Sequence, residues 1–241
     1  MFCRRPLQGD TWHAVGQYQR RNPALDLTTL GWNPFFATYY EPYTGNGYQR
    51  ARVARADRHV YVLYAEGGEC SGRVSGRFRH EATRLSDYPA IGDWVAIEPH
   101  DDGETATIHA VLPRQSRFSR KVPGVVTEEQ VVAANVDTVF LVSGLDLDLE
   151  PRRIERYLTV AWDCGADPVI VLNKADLCLN LPAMLAQVEL VAAGVPILVV
   201  SAESGDGVEA LTEYLAPGRT VALVGSSGVG KSSLINRLLG Q

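Results

Sequence analysis

The stretch at 225–233, Gly-Ser-Ser-Gly-Val-Gly-Lys-Ser-Ser, has the residue types and the spacing of a phosphate-binding loop. An apolar run at 221–224 precedes it, and a segment with the apolar spacing of a helix follows at 234–239. A phosphate-binding loop lies between a strand and a helix, as these flanking segments predict. Its glycines permit a tight turn that brings backbone N–H groups and the positive end of a helix dipole against phosphate oxygens. The alternative, a glycine-rich turn before a surface helix, is disfavoured by the flanking elements.

Each polar group of this loop has an expected role. The ammonium of Lys231 is expected to reach the β- and γ-phosphates and to stabilise the transferring charge, which makes it the predicted catalytic residue. The hydroxyl of Ser232 is the predicted Mg²⁺ ligand. Lysine is otherwise found only at 121 and 174, so a lysine here indicates a specific role. The predicted phosphate-binding residues are Gly225, Ser226, Ser227, Gly228, Val229, Gly230, Lys231, Ser232 and Ser233.

A second motif, Asn173-Lys174-Ala175-Asp176, directly follows an apolar run. The carboxylate of Asp176 can accept hydrogen bonds from the ring N–H and the exocyclic amine of guanine, whereas adenine has no matching pair of donors. We expect Asn173 to tie this loop to the phosphate loop, and the stem of Lys174 to cover the base. Together the two motifs predict a site for GTP or GDP with Mg²⁺, and they argue against an ATPase.

A pair of residues that follows the next apolar run completes the predicted base site. Ser201 and Ala202 lie where the backbone N–H of Ala202 could donate to the guanine O6. An ordinary polar loop after a strand is the alternative interpretation of a lone Asn-Lys-x-Asp. Its occurrence in one chain with a phosphate loop and with this Ser-Ala pair favours the nucleotide site.

The second half of the chain alternates apolar runs of strand length with helical segments. This rhythm predicts a parallel sheet covered on both faces, so we assign residues 137–241 to an α/β P-loop GTPase domain. The predicted strands are 138–143, 168–172, 196–201 and 220–224, and the predicted helices are 151–164, 182–193 and 206–216.

The first half predicts an all-β domain. Short alternating strands separated by turn residues favour a small closed barrel, and we assign residues 47–116 to an OB-fold. Residues 1–46 are expected to be an extension that docks through aromatic rings, and 117–136 a connector. The predicted strands are 52–55, 59–64, 70–78, 93–97 and 105–112.

Arginines interleave with aromatic residues along the predicted barrel. Such a mixture can hold phosphates by charge and bases by stacking, so it predicts RNA binding. Arginines that merely solubilise the surface are the equally weighted alternative. The candidate RNA-binding residues are Arg52, Arg55, Arg73, Arg77 and Arg79.

The order of the nucleotide motifs is reversed relative to an ordinary GTPase, because Asn173 precedes Gly225. A fold survives such a rearrangement if its original termini lie close together and become joined. The short segment at 215–219, between the last predicted helix and the phosphate-loop strand, is the expected join. The chain is therefore predicted to be a circularly permuted GTPase domain.

At these motifs the sequence resembles the ribosome small-subunit-dependent GTPases of the RsgA (YjeQ, EngC) family. The resemblance implies an OB-fold that contacts ribosomal RNA, a permuted GTPase domain, and a role in late maturation of the small ribosomal subunit, which stimulates GTP hydrolysis. It covers nearly all of the chain from about residue 30 and extends through 89–95, 112–114, 133–137, 153–158, 173–176 and 225–233.

The sequence departs from the family pattern near its end. No Asp-x-x-Gly is present, and the chain ends at Gln241, one predicted helix after the phosphate loop. Family members continue through two switch segments and a zinc-binding domain, so zinc is expected only in that missing domain. We expect a truncated chain that is a weak catalyst, with the strand at 220–224 left as a sheet edge.

Composition limits the alternatives. The four cysteines are scattered and predict free thiols in a reducing compartment. The apolar runs are far shorter than the roughly 20 residues of a membrane span, so we expect a cytoplasmic protein with no membrane partner. We also expect a monomer that does not bind DNA. Two other functions remain open: a non-catalytic RNA-binding module with a regulatory guanine-nucleotide site, and a permuted GTPase with another RNA or protein target.

Overall fold

The computed structural model of the protein describes residues 25–57, 60–122, 128–146, 149–192 and 194–240. The chain divides into two compact units. Of the described residues, the first unit contains 25–27 and those within 33–113, and the second contains 28–32 and those within 114–240. Most of the predicted N-terminal extension, 1–24, and His59 of the predicted second strand lie outside the described residues.

The first unit is built on five strands: β1 (Gln49–Asp57), β2 (Val60–Ala65), β3 (Gly68–Val74), β4 (Trp94–Pro99) and β5 (Thr105–Val111). They close into a barrel in the order β1-β2-β3-β5-β4. All neighbours are antiparallel except β3 and β5, which are parallel. Side chains alternate across each strand, and the inward set, including Leu63, Ile97 and Ile108, is buried. The predicted OB-like barrel is confirmed.

A short helix, α2 (Gly76–Glu81), follows the third strand. The sequence had predicted that this strand continues to Phe78. The strand stops because Ser75 caps a helix: its Oγ accepts the backbone N–H of Phe78 at 3.0 Å. The prediction was therefore wrong over 76–78.

Helix α1 (Pro34–Tyr40) comes before the barrel in the chain and packs on it through an aromatic side chain. Asn33 caps the helix by accepting the N–H of Phe35 at 3.0 Å, and proline occupies the first turn, where it is tolerated. The buried ring of Phe36 lies 5.9 Å from that of Trp94. The expected aromatic docking of the segment before the barrel is thus observed for this helix.

The second unit is a parallel sheet of four strands: β8 (Thr138–Gly144), β9 (Asp167–Asn173), β10 (Ile197–Val199) and β11 (Val221–Val224). Their order is β10-β9-β8-β11, so β9 and β11 both pair with the central strand β8. The phosphate-loop strand β11 lies at the edge of this sheet, as expected. Parallel strands end at the same edge, so the loops that follow β8, β9 and β11 are neighbours.

Helices cover both faces of this sheet, which confirms the predicted α/β architecture. Helices α3 (Pro151–Asp163) and α4 (Leu181–Ala192) bury Leu158 and Val188 against one face. Helix α5 (Lys231–Leu238) buries Leu234 against the other face.

Two predictions for this unit need correction. The 117–136 connector contains an antiparallel pair, β6 (Arg117–Val122) and β7 (Glu128–Ala134), whose backbone pairing runs from Arg117 with Ala134 to Val122 with Glu128. The segment predicted as a helix over 206–216 is a 3₁₀ helix, Val208–Tyr214.

The cysteines that the structure describes, Cys70, Cys164 and Cys178, are free, as predicted. Burial raises the pKa of the Cys70 and Cys164 thiols. None of the helices over the described ranges combines the length and the apolar character needed to cross a bilayer.

The barrel core gives a first test of the fold. Leu63→Ala removes a fully buried side chain, and we expect it to lower the free energy of unfolding by about 2–5 kcal/mol through lost transfer energy and the remaining cavity. Leu85→Ala, the same change at an exposed position of the same unit, is the control and should cost far less. Equilibrium denaturation measures both, and equal losses would contradict the observed packing.

Candidate functional site

The phosphate loop connects β11 to α5, and two of its glycines are required by close backbone packing. A Cβ on Gly225 would lie 2.2 Å from the carbonyl oxygen of Val142. Gly230 has a φ of 93°, and a Cβ there would lie 2.2 Å from Nδ2 of Asn173. Gly228 also has a positive φ, 83°, but open space surrounds it. The first and last glycines therefore set the shape of the loop.

Lys231, at the start of α5, turns its side chain back over the loop. Its Nζ donates to the carbonyl oxygens of Gly225, at 2.8 Å, and Ser226, at 2.6 Å. Both oxygens belong to the phosphate loop, so the ammonium is held against the loop backbone. This is the position in which a compact charge can act on a bound anion.

The remaining residues of the loop differ in exposure. Ser227, Ser232 and Ser233 are exposed, and Ser226 is partly buried. Val229 is fully buried in the core beside α5, so only its backbone can contribute to a binding site. Its assignment as a nucleotide-binding residue is therefore restricted to its main chain.

Asn173 joins the two predicted motifs, as expected. It ends β9 and is 2% exposed. Its Nδ2 donates to the carbonyl oxygen of Val229 at 2.8 Å, and its Oδ1 accepts the backbone N–H of Ala202 at 2.9 Å. One buried amide thus connects the phosphate loop, the Asn-Lys-Ala-Asp loop and the Ser-Ala loop.

The backbone N–H of Ala202 donates to a different acceptor from the predicted one. It was expected to donate to a base oxygen, and in the structure it donates to Asn173. Arg237 of α5 fixes the same loop: its Nε donates to the Ala202 carbonyl oxygen at 3.2 Å, and its guanidinium also donates to the carbonyl oxygen of Glu203. The loop is consequently held from two sides.

Asp176 is exposed and its carboxylate is oriented by one neighbour. The hydroxyl of Ser201 donates to Asp176 Oδ1 at 2.6 Å, and the same oxygen of Ser201 accepts the N–H of Ser204 at 3.1 Å. Ser201 itself is buried. A buried hydroxyl thus aims an accessible carboxylate, which suits recognition of two adjacent donors on a planar ligand.

Lys174 has a left-handed backbone, with φ 65°, and its Nζ lies 2.6 Å from Oδ2 of Asp146. Ala175 follows it and opens a 3₁₀ turn, and its N–H donates to the Val200 carbonyl oxygen at 3.1 Å. Asp146 follows β8 and was not among the predicted residues. The sequence offered only a weak signal for it, an acidic residue soon after a buried strand.

Two further contacts in this region were also missed. Arg153, near the start of α3, donates through Nη1 to the Ser226 hydroxyl. Arg237 on α5 is the second, as described above. Both are arginines among many in the chain, and their partners are distant in sequence, so residue type alone did not distinguish them.

The predicted arginines of the barrel fall into two groups. Arg55 on β1, Arg73 on β3 and the α2 residues Arg77 and Arg79 are exposed, with Arg55 paired to Asp57 and Arg77 to Glu81 at 2.8 Å. Arg52 is buried: its Nε donates to the Gly92 carbonyl oxygen at 3.2 Å, and its guanidinium lies 5.6 Å from the centre of the Trp94 ring. The assignment of Arg52 to an RNA-binding surface is therefore wrong, because the barrel itself uses that side chain.

The glycines provide a matched test of the loop. In Gly230→Ala the methyl group would strain a positive φ and also displace the Asn173 amide, whereas in Gly228→Ala only the strain applies. We expect Gly230→Ala to lower the free energy of unfolding by about 1–3 kcal/mol more than Gly228→Ala, since a buried hydrogen-bonding group loses its partner. Thermal unfolding measures the difference, and equal effects would argue against the amide bridge.

The chain is similar to several known proteins. The family model described as RsgA GTPase matches residues 111–241. A small ribosomal subunit biogenesis GTPase RsgA from Opitutus terrae is 46% identical over 225 residues, which are 90% of this chain and 61% of that protein. The protein of the same name from Syntrophotalea carbinolica is 44% identical, over 89% of this chain and 60% of its own length. The chain thus spans about three-fifths of these relatives.

Solved structures show the same fold. The crystal structure of YjeQ from Thermotoga maritima matches with a TM-score of 0.64 and 29% identity, over 78% of this chain and 64% of that one. The crystal structure of YloQ, a circularly permuted GTPase, matches with a TM-score of 0.58 and 20% identity, over 80% and 65% of the two chains. The fold thus agrees with that of a permuted GTPase, and the matching family model covers more than half of the sequence, so this chain belongs to the RsgA GTPase family.

Proposed function

We propose that the protein binds GTP and hydrolyses it as a switch in late maturation of the small ribosomal subunit. One observation carries this proposal: the buried Asn173 amide connects a phosphate loop to a loop suited to guanine. The relatives are named as small ribosomal subunit biogenesis GTPases, which supports the biological role.

Guanine is the base that the site suits. Asp176 presents an accessible carboxylate that can accept from the ring N–H and the exocyclic amine together, and Ser201 keeps it oriented. When the wrong base is bound, the carboxylate would have no donors to pair with, so the site discriminates strongly against that base. The Ala202 N–H can serve the guanine O6 only if it shares its bond to Asn173, so we assign it a secondary role.

The phosphate loop suits a nucleotide with Mg²⁺. Ser232 has an exposed hydroxyl in the first turn of α5, beside Lys231. Mg²⁺ commonly keeps several waters and takes few protein ligands besides phosphate oxygens, so one hydroxyl fits it. We therefore propose Ser232 as a ligand of that Mg²⁺. The bound metal would neutralise phosphate charge.

Lys231 is the residue of this chain that we assign to the reaction. Its ammonium is held over the loop by two carbonyl oxygens, from which it can reach phosphate oxygens and stabilise charge that develops during transfer. The loop backbone binds and orients the phosphates, and Asn173 keeps the base and phosphate parts in register.

The barrel is the proposed RNA-binding part. Its exposed arginines, at 55, 73, 77 and 79, can pair with the phosphates of ribosomal RNA, and barrels of this type bind oligonucleotides. Ribosome assembly takes place in the cytoplasm, where we place the protein.

Base recognition is tested by Asp176→Asn. An amide cannot accept from both guanine donors, but it can donate to the O2 of xanthine, so we expect GDP affinity to fall by about 10- to 100-fold and affinity for xanthosine diphosphate to rise. Titration calorimetry with both nucleotides measures the exchange. Asp163→Asn, an exposed residue of α3, is the control, and unchanged GDP affinity in Asp176→Asn would remove that residue from the site.

The switch itself is tested by GTP turnover of the full-length protein with and without purified small ribosomal subunits. We expect the small subunit, and not the large one, to stimulate turnover, and Lys231→Ala to abolish it. Indifference to the subunit would leave a permuted GTPase with another target. Binding of nucleotide and RNA with no turnover in any condition would favour the non-catalytic module instead.

In the same assay, replacing Arg73, Arg77 and Arg79 together by alanine tests the barrel. Stimulation should weaken and lose part of its salt dependence, while turnover without subunits stays unchanged. Full stimulation in this variant would mean that these arginines only solubilise the barrel.

A further inference from the structure

The crossover between β8 and α3 contacts both nucleotide motifs, although it belongs to neither. Its described residues are 145, 146, 149 and 150, and Arg153 follows them in the first turn of α3. At its start, the N–H of Leu145 donates to the carbonyl oxygen of Asn173 at 2.7 Å, and Leu145 is buried. The crossover is thus fixed directly beside the residue that joins the two motifs.

Asp146 contacts the base motif. Its Oδ2 lies 2.6 Å from Lys174 Nζ, and the two side chains are only 27% and 28% exposed. The carboxylate folds back over the preceding strand end, since a Cβ on Gly144 would lie 2.6 Å from Asp146 Oδ1. A half-buried ion pair is screened less than a surface pair, so it restricts the position of the Lys174 stem, which we expect to lie against the base.

Arg153 contacts the phosphate motif. It lies in the first turn of α3, which begins with a proline, and its backbone N–H donates to the Glu150 carbonyl oxygen at 2.9 Å. Its Nη1 donates to the Ser226 hydroxyl, and both side chains are partly buried. The neighbouring Arg152 is exposed, so the helix presents one of two adjacent arginines to the loop.

Two cations therefore meet at Ser226. Arg153 holds its hydroxyl, and Lys231 Nζ holds its carbonyl oxygen at 2.6 Å. Ser226 is thus held at its hydroxyl by a side chain of α3 and at its carbonyl oxygen by the lysine of the loop itself.

We propose that Asp146 and Arg153 are positioning residues of the nucleotide site, with Asp146 orienting Lys174 on the base and Arg153 holding the phosphate loop through Ser226. The inference rests on the proposed binding of guanine nucleotides and extends it to a third segment of the fold. The crossover acts through residues of the two motifs.

Affinities for GDP and GTP, measured for Asp146→Asn and Arg153→Ala, test this assignment. We expect about a tenfold loss in each, the size of one charge-assisted hydrogen bond, and partial recovery in Arg153→Lys, which keeps the charge without the planar fork. Glu150→Gln and Arg152→Ala change exposed neighbours on the same crossover and helix, and they should bind as the wild type does.

Double-mutant cycles separate positioning from a general loss of stability. In a Lys174→Ala background, adding Asp146→Asn should weaken binding little further, because Asp146 acts through the lysine already removed. The same is expected when Arg153→Ala is added to Ser226→Ala. Additive losses in the double variants would overturn this inference but not the proposed function. The same holds if the wild type binds nucleotide and both single variants bind it equally well. A wild type that binds neither nucleotide would overturn the proposed function, and this inference with it.

Discussion

The side chain of Asn173 is the interaction on which the candidate site depends. Its amide is buried and satisfied at both ends, by the carbonyl oxygen of Val229 and the N–H of Ala202. Leaving such a group without a partner costs about 1–3 kcal/mol, so the three loops it connects hold a common arrangement. Gly230 follows from the same constraint, because a side chain there would occupy the position of the amide.

The sheet explains why a permuted order does not disturb this arrangement. Strands β9 and β11 both pair with β8, so their carboxyl ends lie at one edge although the motifs that follow them are some fifty residues apart. The segment predicted as the join, at 215–219, ends beside β11 in two contacts: Asp137 accepts the N–H of Thr220 at 2.7 Å and pairs with Arg219 at 3.0 Å. Packing and strand pairing depend on neighbours in space, so the chain can begin at another point of the same fold.

The two units use arginine in different ways. In the barrel, Arg52 belongs to the packing, since its guanidinium bonds a carbonyl oxygen and lies over the Trp94 ring. In the second unit, Arg153 and Arg237 hold loops by donating to hydroxyl and carbonyl oxygens. A planar group with several donors suits these roles, whereas the two lysines of the site, Lys174 and Lys231, act as compact charges.

The sequence by itself determined the parts of this protein that are local. The phosphate loop, the Asn-Lys-Ala-Asp motif and the alternation of strands and helices each lie within a short stretch, where residue type and spacing carry the information. Tertiary structure alone decided the burial of Arg52, the pairing of Asp146 with Lys174 and the contact of Arg153 with Ser226. These features join residues from 28 to 73 positions apart, or depend on what packs above a side chain, so no local pattern encodes them.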